Sequence, residues 1–286
     1  FMVQLHGLRV HVLENNEGLL ERDFSTYRPF FEAFGIRCGV DLLDPKAQVV
    51  YCLKSRINHL FMRKMLEGML DEVLGRTVII VDEVDEVARK IGAMSCVVVR
   101  ENGTLFGTNN DWLGFVGNLK QFFPDFRADT GPVTVIGAGG GGRAVCYAML
   151  DQGAREIRLV NRTPEEPALI AAEFGGPITP VAWAERHAAL DGAVMVINAT
   201  SQGMKGEPAL DIQLNTLPVS ALAVDIIYTP PETPFLAAAR MRGNPTLNGL
   251  GMLLHQGPAA WKRWFGIEPA ITDALRRRME QALGGT

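Results

Sequence analysis

The sequence predicts an α/β protein with two domains, on three observations. Apolar runs of strand length alternate with helical patterns along most of the chain, which is typical of a mainly parallel sheet. A glycine-rich turn at 137–142 follows one such run in the middle of the chain and opens a helix. The chain has 286 residues, which is long enough for two modest domains with separate apolar cores.

The first domain is predicted over residues 1–110. Strands are expected at 8–13, 38–43, 49–53 and 77–81, and helices at 24–34, 57–74 and 83–91, the last ending at Gly92. The runs 94–99 and 104–106 flank Asn102-Gly103, a dipeptide favoured in tight hairpin turns. This pattern predicts an antiparallel hairpin at the edge of an otherwise mostly parallel sheet.

A connecting helix and a polar linker are predicted over 111–130, and the second domain over 131–248. Asp111 lies at the start of this helix and is well placed to cap it. Strands of the second domain are expected at 133–136, 156–160, 194–198 and 221–226, and two further helices at 249–264 and 271–283. The second domain is thus built from repeated strand–helix units.

The glycine turn has the spacing of a dinucleotide-binding loop. Gly137, Gly139 and Gly142 match G-x-G-x-x-G between a strand and a helix. Glycine is needed there because the turn is tight and the backbone must approach a pyrophosphate, which the helix N-terminus then binds. Taken alone, the triplet would also fit a glycine-rich surface loop.

The end of the next strand bears on the choice of cofactor. Asn161-Arg162-Thr163 lie about twenty residues past the last glycine, where this fold reads the ribose. An acid there would favour NAD, whereas Arg162 could pair with a 2′-phosphate or stack on adenine. Glu165 and Glu166 oppose a strongly phosphate-selective pocket, so NADP is favoured only slightly over NAD.

Composition excludes several classes of function. The net charge is −4, which implies no surface for nucleic acid, and no apolar stretch is long enough to span a membrane. The four cysteines show no metal-ligand spacing, so no metal site is expected, and free thiols suit a reducing cytoplasm. A cytoplasmic monomer or homodimer acting on a small-molecule substrate is expected.

Three stretches resemble motifs of the shikimate/quinate dehydrogenase family. Ile-Asn-Ala-Thr-Ser-Gln-Gly-Met at 197–204 matches I-N-A-T-S-x-G-M, and Val-Asp-Ile-Ile-Tyr-Thr-Pro at 224–230 resembles V-x-D-x-x-Y-x-P. The stretch 248–256 is similar to the family's G-L-G-M-L-x-x-Q helix. The glycine turn and Asn161-Arg162-Thr163 fit the family in order and spacing, so the resemblance covers 91–266.

The resemblance implies a substrate-binding α/β domain followed by a Rossmann dinucleotide-binding domain. The C-terminal helices at 249–286 would pack back on the first domain. The implied reaction is hydride transfer between NADP or NAD and a polyhydroxylated cyclic carboxylate such as shikimate or quinate, in quinate and shikimate metabolism and aromatic amino acid biosynthesis.

The resemblance also implies roles for individual residues. The cofactor would meet Gly137, Ala138, Gly139, Gly140 and Gly141 at its pyrophosphate, Asn161, Arg162 and Thr163 at its ribose, Thr200, Ser201 and Met204 along its length, and Ile226, Gly249 and Met252 near its nicotinamide. Ser95, Tyr228 and Gln256 would reach the substrate, although Tyr228 and Gln256 equally suit a domain seam and Met252 a core. Asp111 matches the aspartate of the family's N-T-D motif, half of its catalytic Lys–Asp pair.

The first ninety residues depart from the family pattern. Its S-x-S-P segment, which holds the substrate carboxylate, is replaced by residues 21–24, Glu-Arg-Asp-Phe, where Arg22 and Arg28 could serve as cationic partners. Ser95 stands where the family has asparagine.

The lysine of the family's N-V-T-x-P-x-K motif is missing from its place. An ungapped count from the resembling region reaches Leu74, which cannot titrate, while gaps would allow Lys54 or Lys64, either of which could equally be a surface lysine. Two hypotheses therefore remain: a dehydrogenase whose lysine has moved, or an NAD(P)-binding pseudoenzyme or sensor without it. A divergent enzyme with another substrate is a third.

Overall fold

The structure is a computed structural model that describes residues 9–14, 17–33, 36–40, 44, 46–53, 77–78, 83–100 and 105–284. The predicted helix at 57–74, the hairpin turn at Asn102-Gly103, and Lys54, Lys64 and Leu74 lie outside these residues. Contacts divide the chain into two units, Phe1–Glu83 with Val99–Phe106, and Val84–Val98 with Gly107–Thr286. The domain boundaries predicted from the sequence stay predictions.

The first unit contains a parallel sheet of order β2-β3-β1-β4. Its strands are β1 Arg9–Glu14, β2 Cys38–Gly39, β3 Val49–Leu53 and β4 Thr77–Val78, and its helix is α1 Glu17–Ala33. The core lies over β3, where Val49 and Tyr51 are buried and Phe24 of α1 packs edge-on against Tyr51 at 5.7 Å between ring centroids. Helix α1 therefore begins earlier than the predicted residue 24.

Two predictions for residues 83–108 were wrong. Residues Glu83–Val84 form a strand, β5, and helix α2 covers only Glu86–Ile91, because the Asp85 carboxylate accepts from the Ala88 amide at 2.6 Å and caps it there. Strands β6 Cys96–Val99 and β7 Leu105–Thr108 are neighbours, as a hairpin requires. They lie in a three-stranded sheet of order β5-β7-β6, and not at the edge of the parallel sheet.

The second unit is built on a six-stranded sheet of order β10-β9-β8-β11-β12-β13, with every pair parallel. In chain order this is 3-2-1-4-5-6, the Rossmann order. The strands are β8 Val133–Ile136, β9 Ile157–Asn161, β10 Ile178–Ala182, β11 Met195–Asn198, β12 Leu222–Asp225 and β13 Thr246–Leu247. The predicted Rossmann domain is confirmed.

Helices cover both faces of this sheet. One apolar face is covered by α3 Asp111–Phe122, α4 Gly140–Asp151, α5 Glu165–Phe174 and α7 Leu250–Phe265, and the other by α6 Pro234–Met241 and the 3₁₀ turns Trp183–Glu185 and Ala188–Leu190. The last helix of the chain is α8 Asp273–Gly284. Successive residues of β8 point to opposite faces, so Val135 packs in one apolar cluster with Met149 and Ile136 in another with Leu236. Among the described helices, none is long and apolar enough to cross a membrane.

Helices α3 and α7 cross at two glycines. A Cβ at Gly114 would overlap the Met252 carbonyl oxygen and come within 3.1 Å of the Gln256 Cβ. A Cβ at Gly117 would come within 2.7 Å of the His255 ring. The two backbones approach this closely because neither glycine carries a side chain, and the crossing brings the start of α3 and the middle of α7 together.

We expect Gly114→Ala to lower the free energy of unfolding by about 1–3 kcal/mol, because the added methyl group forces α3 away from α7. Urea unfolding followed by circular dichroism measures this. Gly257→Ala on α7 is the matched control, since a Cβ there meets nothing within 4 Å and should be neutral or stabilising. Equal stability of the two variants would contradict the close crossing.

Candidate functional site

The glycine turn has the geometry that a dinucleotide requires. Gly137 has a φ of 107°, and a Cβ there would meet the Ala199 carbonyl oxygen at 2.8 Å. A Cβ at Gly142 would overlap the Gly137 carbonyl, so this glycine lets helix α4 pack against the turn. A Cβ at Gly139 meets nothing within 4 Å, so the space above this exposed backbone is open. The turn therefore fits a pyrophosphate.

Three segments meet at the carboxyl edge of the sheet. The Gly137 position lies against Thr200 in the loop after β11, and a Cβ at Gly141 would come within 2.7 Å of Ile226 after β12. Gly249 donates its amide to the Ile227 carbonyl at 2.9 Å. The structure thus brings together the residues that the sequence assigned to the pyrophosphate and to the nicotinamide end.

The predicted ribose segment lies beside the turn. Gly137 donates its amide to the Val160 carbonyl at 2.8 Å, at the end of β9. Asn161 follows and donates through Nδ2 to the Thr163 carbonyl at 3.2 Å, which shapes the segment. Arg162 is exposed and forms no ion pair with the described residues, so its guanidinium is available to a phosphate.

Asp111 and Ser95 form a small polar cluster. The Ser95 hydroxyl accepts from the Asn110 amide at 2.8 Å and hydrogen-bonds the Asp111 carboxylate. Burial raises the pKa of Asp111 above its ordinary value, and the Ser95 hydrogen bond only partly opposes this. The carboxyl is thereby moved toward the range in which it can both hold and release a proton.

The prediction that Asp111 caps its helix was wrong. Asn110 is the residue before α3 and makes no side-chain cap hydrogen bond, while Asp111 is the first helical residue. The Asn109 carboxamide accepts from the Asp111 amide at 3.0 Å and donates to the Ala93 carbonyl at 3.0 Å. The Asp111 carboxyl is therefore not needed to cap α3, which leaves it available for proton transfer.

The Asp111 cluster lies near the glycine turn and near α7. A Cβ at Gly140 would approach the Ala93 Cβ to 3.9 Å, two residues before Ser95. Asp111 lies one turn before Gly114 on α3, where the Gln256 backbone and Cβ are in contact. The Gln256 side-chain carboxamide makes no hydrogen bond to the described residues.

The remaining predicted site residues differ in how they are placed. Met252 is buried in the core cluster, while Ser201, Met204 and Tyr228 are exposed at the same edge of the sheet. The Tyr228 hydroxyl has no hydrogen-bond partner in the described part of the chain. Arg28, offered as a carboxylate partner, pairs with Glu32 at 2.7 Å.

A buried polar network at the ends of two strands was not predicted from the sequence. Asn198 and Asp225 end the adjacent strands β11 and β12, and Thr233 caps helix α6. All three are buried, and burial raises the pKa of Asp225 to about 6, while hydrogen bonds from Thr233, the Ile227 amide and Asn198 act in the opposite direction. The signal available in the sequence for this network was Asp225, an acidic residue at the end of an apolar strand.

We expect Gly139→Val to abolish dinucleotide binding while leaving the fold intact. The Gly139 backbone is extended, with φ of −75°, so valine is tolerated, but its side chain would fill the open space above the turn. Calorimetric titration with NADP and NAD measures the binding, with Gly257→Ala as the unaffected control. Unchanged affinity would show that the dinucleotide binds elsewhere.

We expect the free energy of unfolding to fall as pH rises from about 4 to about 6, because folded Asp225 keeps its proton up to a pKa of about 6 and the unfolded chain releases it near 3.8. The difference corresponds to about 3 kcal/mol. Urea unfolding across this range should show a slope that is smaller by this amount in Asp225→Asn and unchanged in Asp125→Asn, at an exposed site. An unchanged slope in Asp225→Asn would contradict the assignment, since the raised pKa of Asp111 contributes a slope of the same sign to all three proteins.

Comparison with known proteins agrees with this geometry. The family described as Shikimate / quinate 5-dehydrogenase matches residues 119–211. The chain is 48% identical over 197 residues to shikimate dehydrogenase (NADP(+)) of Paramagnetospirillum magneticum, covering 69% of this chain and 71% of that protein. It is 46% identical over 199 residues to the enzyme of the same name from Rhodospirillum rubrum, covering 68% and 70%.

Solved structures support the same fold. Quinate dehydrogenase from Corynebacterium glutamicum in complex with NAD has a TM-score of 0.64 at 24% identity, covering 98% of this chain and 99% of that one. Shikimate 5-dehydrogenase from Thermus thermophilus in complex with NADP(H) and shikimate has a TM-score of 0.59 at 27% identity, covering 97% and 99%. The identity to the curated relatives and the glycine turn lead to one conclusion: this chain belongs to the shikimate/quinate dehydrogenase family.

Proposed function

We propose that this chain is a shikimate-dehydrogenase-like oxidoreductase that transfers hydride between NADP and shikimate or a related polyhydroxylated cyclic carboxylate. The observation that carries the proposal is the half-buried Asp111 carboxyl, with its raised pKa, on the framework that also holds the open glycine turn. The relatives named above are NADP enzymes, and an exposed Arg162 without an ion-pair partner in the described part of the chain supports the same choice. NAD remains the second cofactor.

The part of the site that would bind the cofactor is formed by the glycine turn and by the segments that follow β9 and β12. Gly137 to Gly141 would hold the pyrophosphate, Asn161 to Thr163 the ribose, and Ile226 and Gly249 the nicotinamide end. When bound, the nicotinamide ring supplies or accepts the hydride. The open backbone at Gly139 and the close packing at Gly137 and Gly142 support this assignment.

The proton half of the reaction falls to Asp111. When a ketone is reduced, its carbon gains the hydride and its oxygen gains a proton, and both transfers reverse when the alcohol is oxidised. A carboxyl whose pKa is raised by burial is suited to exchange that proton, and the Ser95 hydroxyl orients it. Gln256 and Tyr228 would bind the substrate hydroxyls.

The lysine partner of Asp111 is proposed to be Lys54 or Lys64, both outside the described residues. The remaining proposals concern organisation: a substrate domain at 1–110 on which helices 249–286 pack, a connection at 111–130 and a Rossmann domain at 131–248. A cytoplasmic location is proposed, and the free thiols of Cys38, Cys96 and Cys146 support it. The oligomeric state is proposed to be a monomer or a homodimer.

We expect Asp111→Asn to lower kcat for shikimate oxidation by roughly a hundred- to ten-thousand-fold, the usual contribution of a positioned proton-transfer group. Formation of NADPH with shikimate and with quinate measures it. One of Lys54→Ala and Lys64→Ala should lose a similar factor, while Lys120→Ala, an exposed lysine on α3, should not.

The result for the wild-type chain decides between the two classes of function. If calorimetry detects NADP binding but neither shikimate nor quinate is turned over, the dehydrogenase proposal is wrong for these substrates and the pseudoenzyme hypothesis is favoured. Full activity in both lysine variants would instead place the proton partner of Asp111 elsewhere in the chain.

A further inference from the structure

Two loops at the carboxyl edge of the Rossmann sheet are tied together by one pair of buried side chains. Asn198 and Asp225 are register partners at the ends of β11 and β12, and both are 0% exposed. The Asn198 Nδ2 donates to both Asp225 carboxylate oxygens, at 3.1 and 3.2 Å. The pair lies at the point where the chain leaves each strand to form a loop of the cofactor site.

Each member of the pair holds one of these loops. The Asn198 Oδ1 accepts from both the amide and the hydroxyl of Thr200, at 3.1 and 2.7 Å, and its Nδ2 also donates to the Gln202 carbonyl at 3.0 Å. This fixes the loop after β11 at three places.

Asp225 holds the loop after β12 and the helix that follows. Its Oδ1 accepts from the Ile227 amide at 3.0 Å, and its Oδ2 accepts from the Thr233 hydroxyl at 2.7 Å. Thr233 in turn accepts from the Leu236 amide at 3.3 Å and begins helix α6. The side-chain polar atoms of Asn198, Asp225 and Thr233 are therefore all satisfied.

The network also decides what Thr200 can do. Its hydroxyl gives its proton to Asn198 and accepts from the Gln202 amide at 3.0 Å. It therefore has no proton left to donate to a cofactor. Thr200 contributes by its position, with its methyl group against Gly137, rather than by a hydrogen bond to the ligand.

Stability alone does not explain this pair. Removing a carboxylate from water costs several kcal/mol even when it is hydrogen-bonded, and apolar residues of similar volume often serve a core as well or better. What the pair adds is one defined conformation for two loops that apolar packing would leave free to shift.

We propose that Asn198 and Asp225 are positioning residues that fix the loops 199–204 and 226–228 against the glycine turn, and so set the orientation of the nicotinamide end of the cofactor. The proposal rests on the proposed function. The glycine turn and the ribose segment, which are proposed to hold the pyrophosphate and the ribose, do not depend on the pair, so losing the pair should impair hydride transfer more than binding.

The test compares Asn198→Asp, Asp225→Asn and the double variant that exchanges the two side chains. The first single variant sets two carboxylates against each other, and the second sets two carboxamides together. We expect each to lower kcat about ten- to a hundredfold, the scale of a misplaced reacting group, with the NADP dissociation constant unchanged. The exchanged variant restores one donor–acceptor pair and should recover part of the loss, which makes the two substitutions non-additive.

The matched control is Asn244→Ala at the opposite end of the same strands. Asn244 is also a buried carboxamide, and its Nδ2 donates to the carbonyls of Pro218, Val219 and Ala221, but it touches neither loop. It should lower Tm without lowering kcat. An equal fall of kcat in Asn244→Ala at the same loss of Tm would overturn the proposal.

A second readout does not depend on turnover. In the full chain with NADP, amide hydrogen exchange across 199–204 and 226–228 should quicken in Asn198→Asp and Asp225→Asn, because the Thr200 and Ile227 amides lose their acceptor geometry. Exchange across 138–150 should not change. If exchange in the two loops is unaltered, the pair does not hold them, whether or not the chain oxidises shikimate.

Discussion

The close approach of bare backbone at the carboxyl edge of the Rossmann sheet is the constraint on which the rest of this site depends. Gly137, with φ of 107°, lies against the loop after β11, and Gly142 lies against Gly137 itself. Both contacts exclude any side chain, and together they turn the N-terminus of α4 toward the open space above Gly139. Without them the helix would not offer its free amides to an anion.

A second close approach of the same kind positions Asp111, the proposed proton-transfer group. Helices α3 and α7 touch through Gly114 and Gly117, so Asp111 at the start of α3 lies along the seam that also carries Gln256. Both features use glycine for the same physical reason, since a Cβ at Gly137, Gly142, Gly114 or Gly117 would overlap the neighbouring segment. The glycine turn and the Asp111 carboxyl thus lie in the same unit, Val84–Val98 with Gly107–Thr286.

The polar groups of the site divide into those that are satisfied and those that are free. Asn109, Asn198, Asp225 and Thr233 are buried and use their hydrogen bonds to hold loops and helix ends. Arg162, Tyr228 and Gln256 make no side-chain hydrogen bond within the described part of the chain. This division separates the residues that shape the site from those available to a ligand. Residue type alone does not make this distinction, because asparagine is among the satisfied residues and the chemically similar glutamine is among the others.

The sequence by itself determined the glycine turn and four of the six Rossmann strands, because these depend on local patterns of glycine spacing and apolar runs. It missed β10 and β13. It also pointed to Asp111 through a short motif. It misjudged the start of α2, where the Asp85 carboxylate caps the helix, and the start of α3, where the Asn109 carboxamide and not Asp111 accepts a backbone amide. Only the tertiary structure decided the pairing of Asn198 with Asp225, which are 27 residues apart and meet because β11 and β12 lie parallel in register. Only the tertiary structure, likewise, decided that Ser95 lies beside Asp111, because these two side chains are brought together by packing between elements and not by their order along the chain.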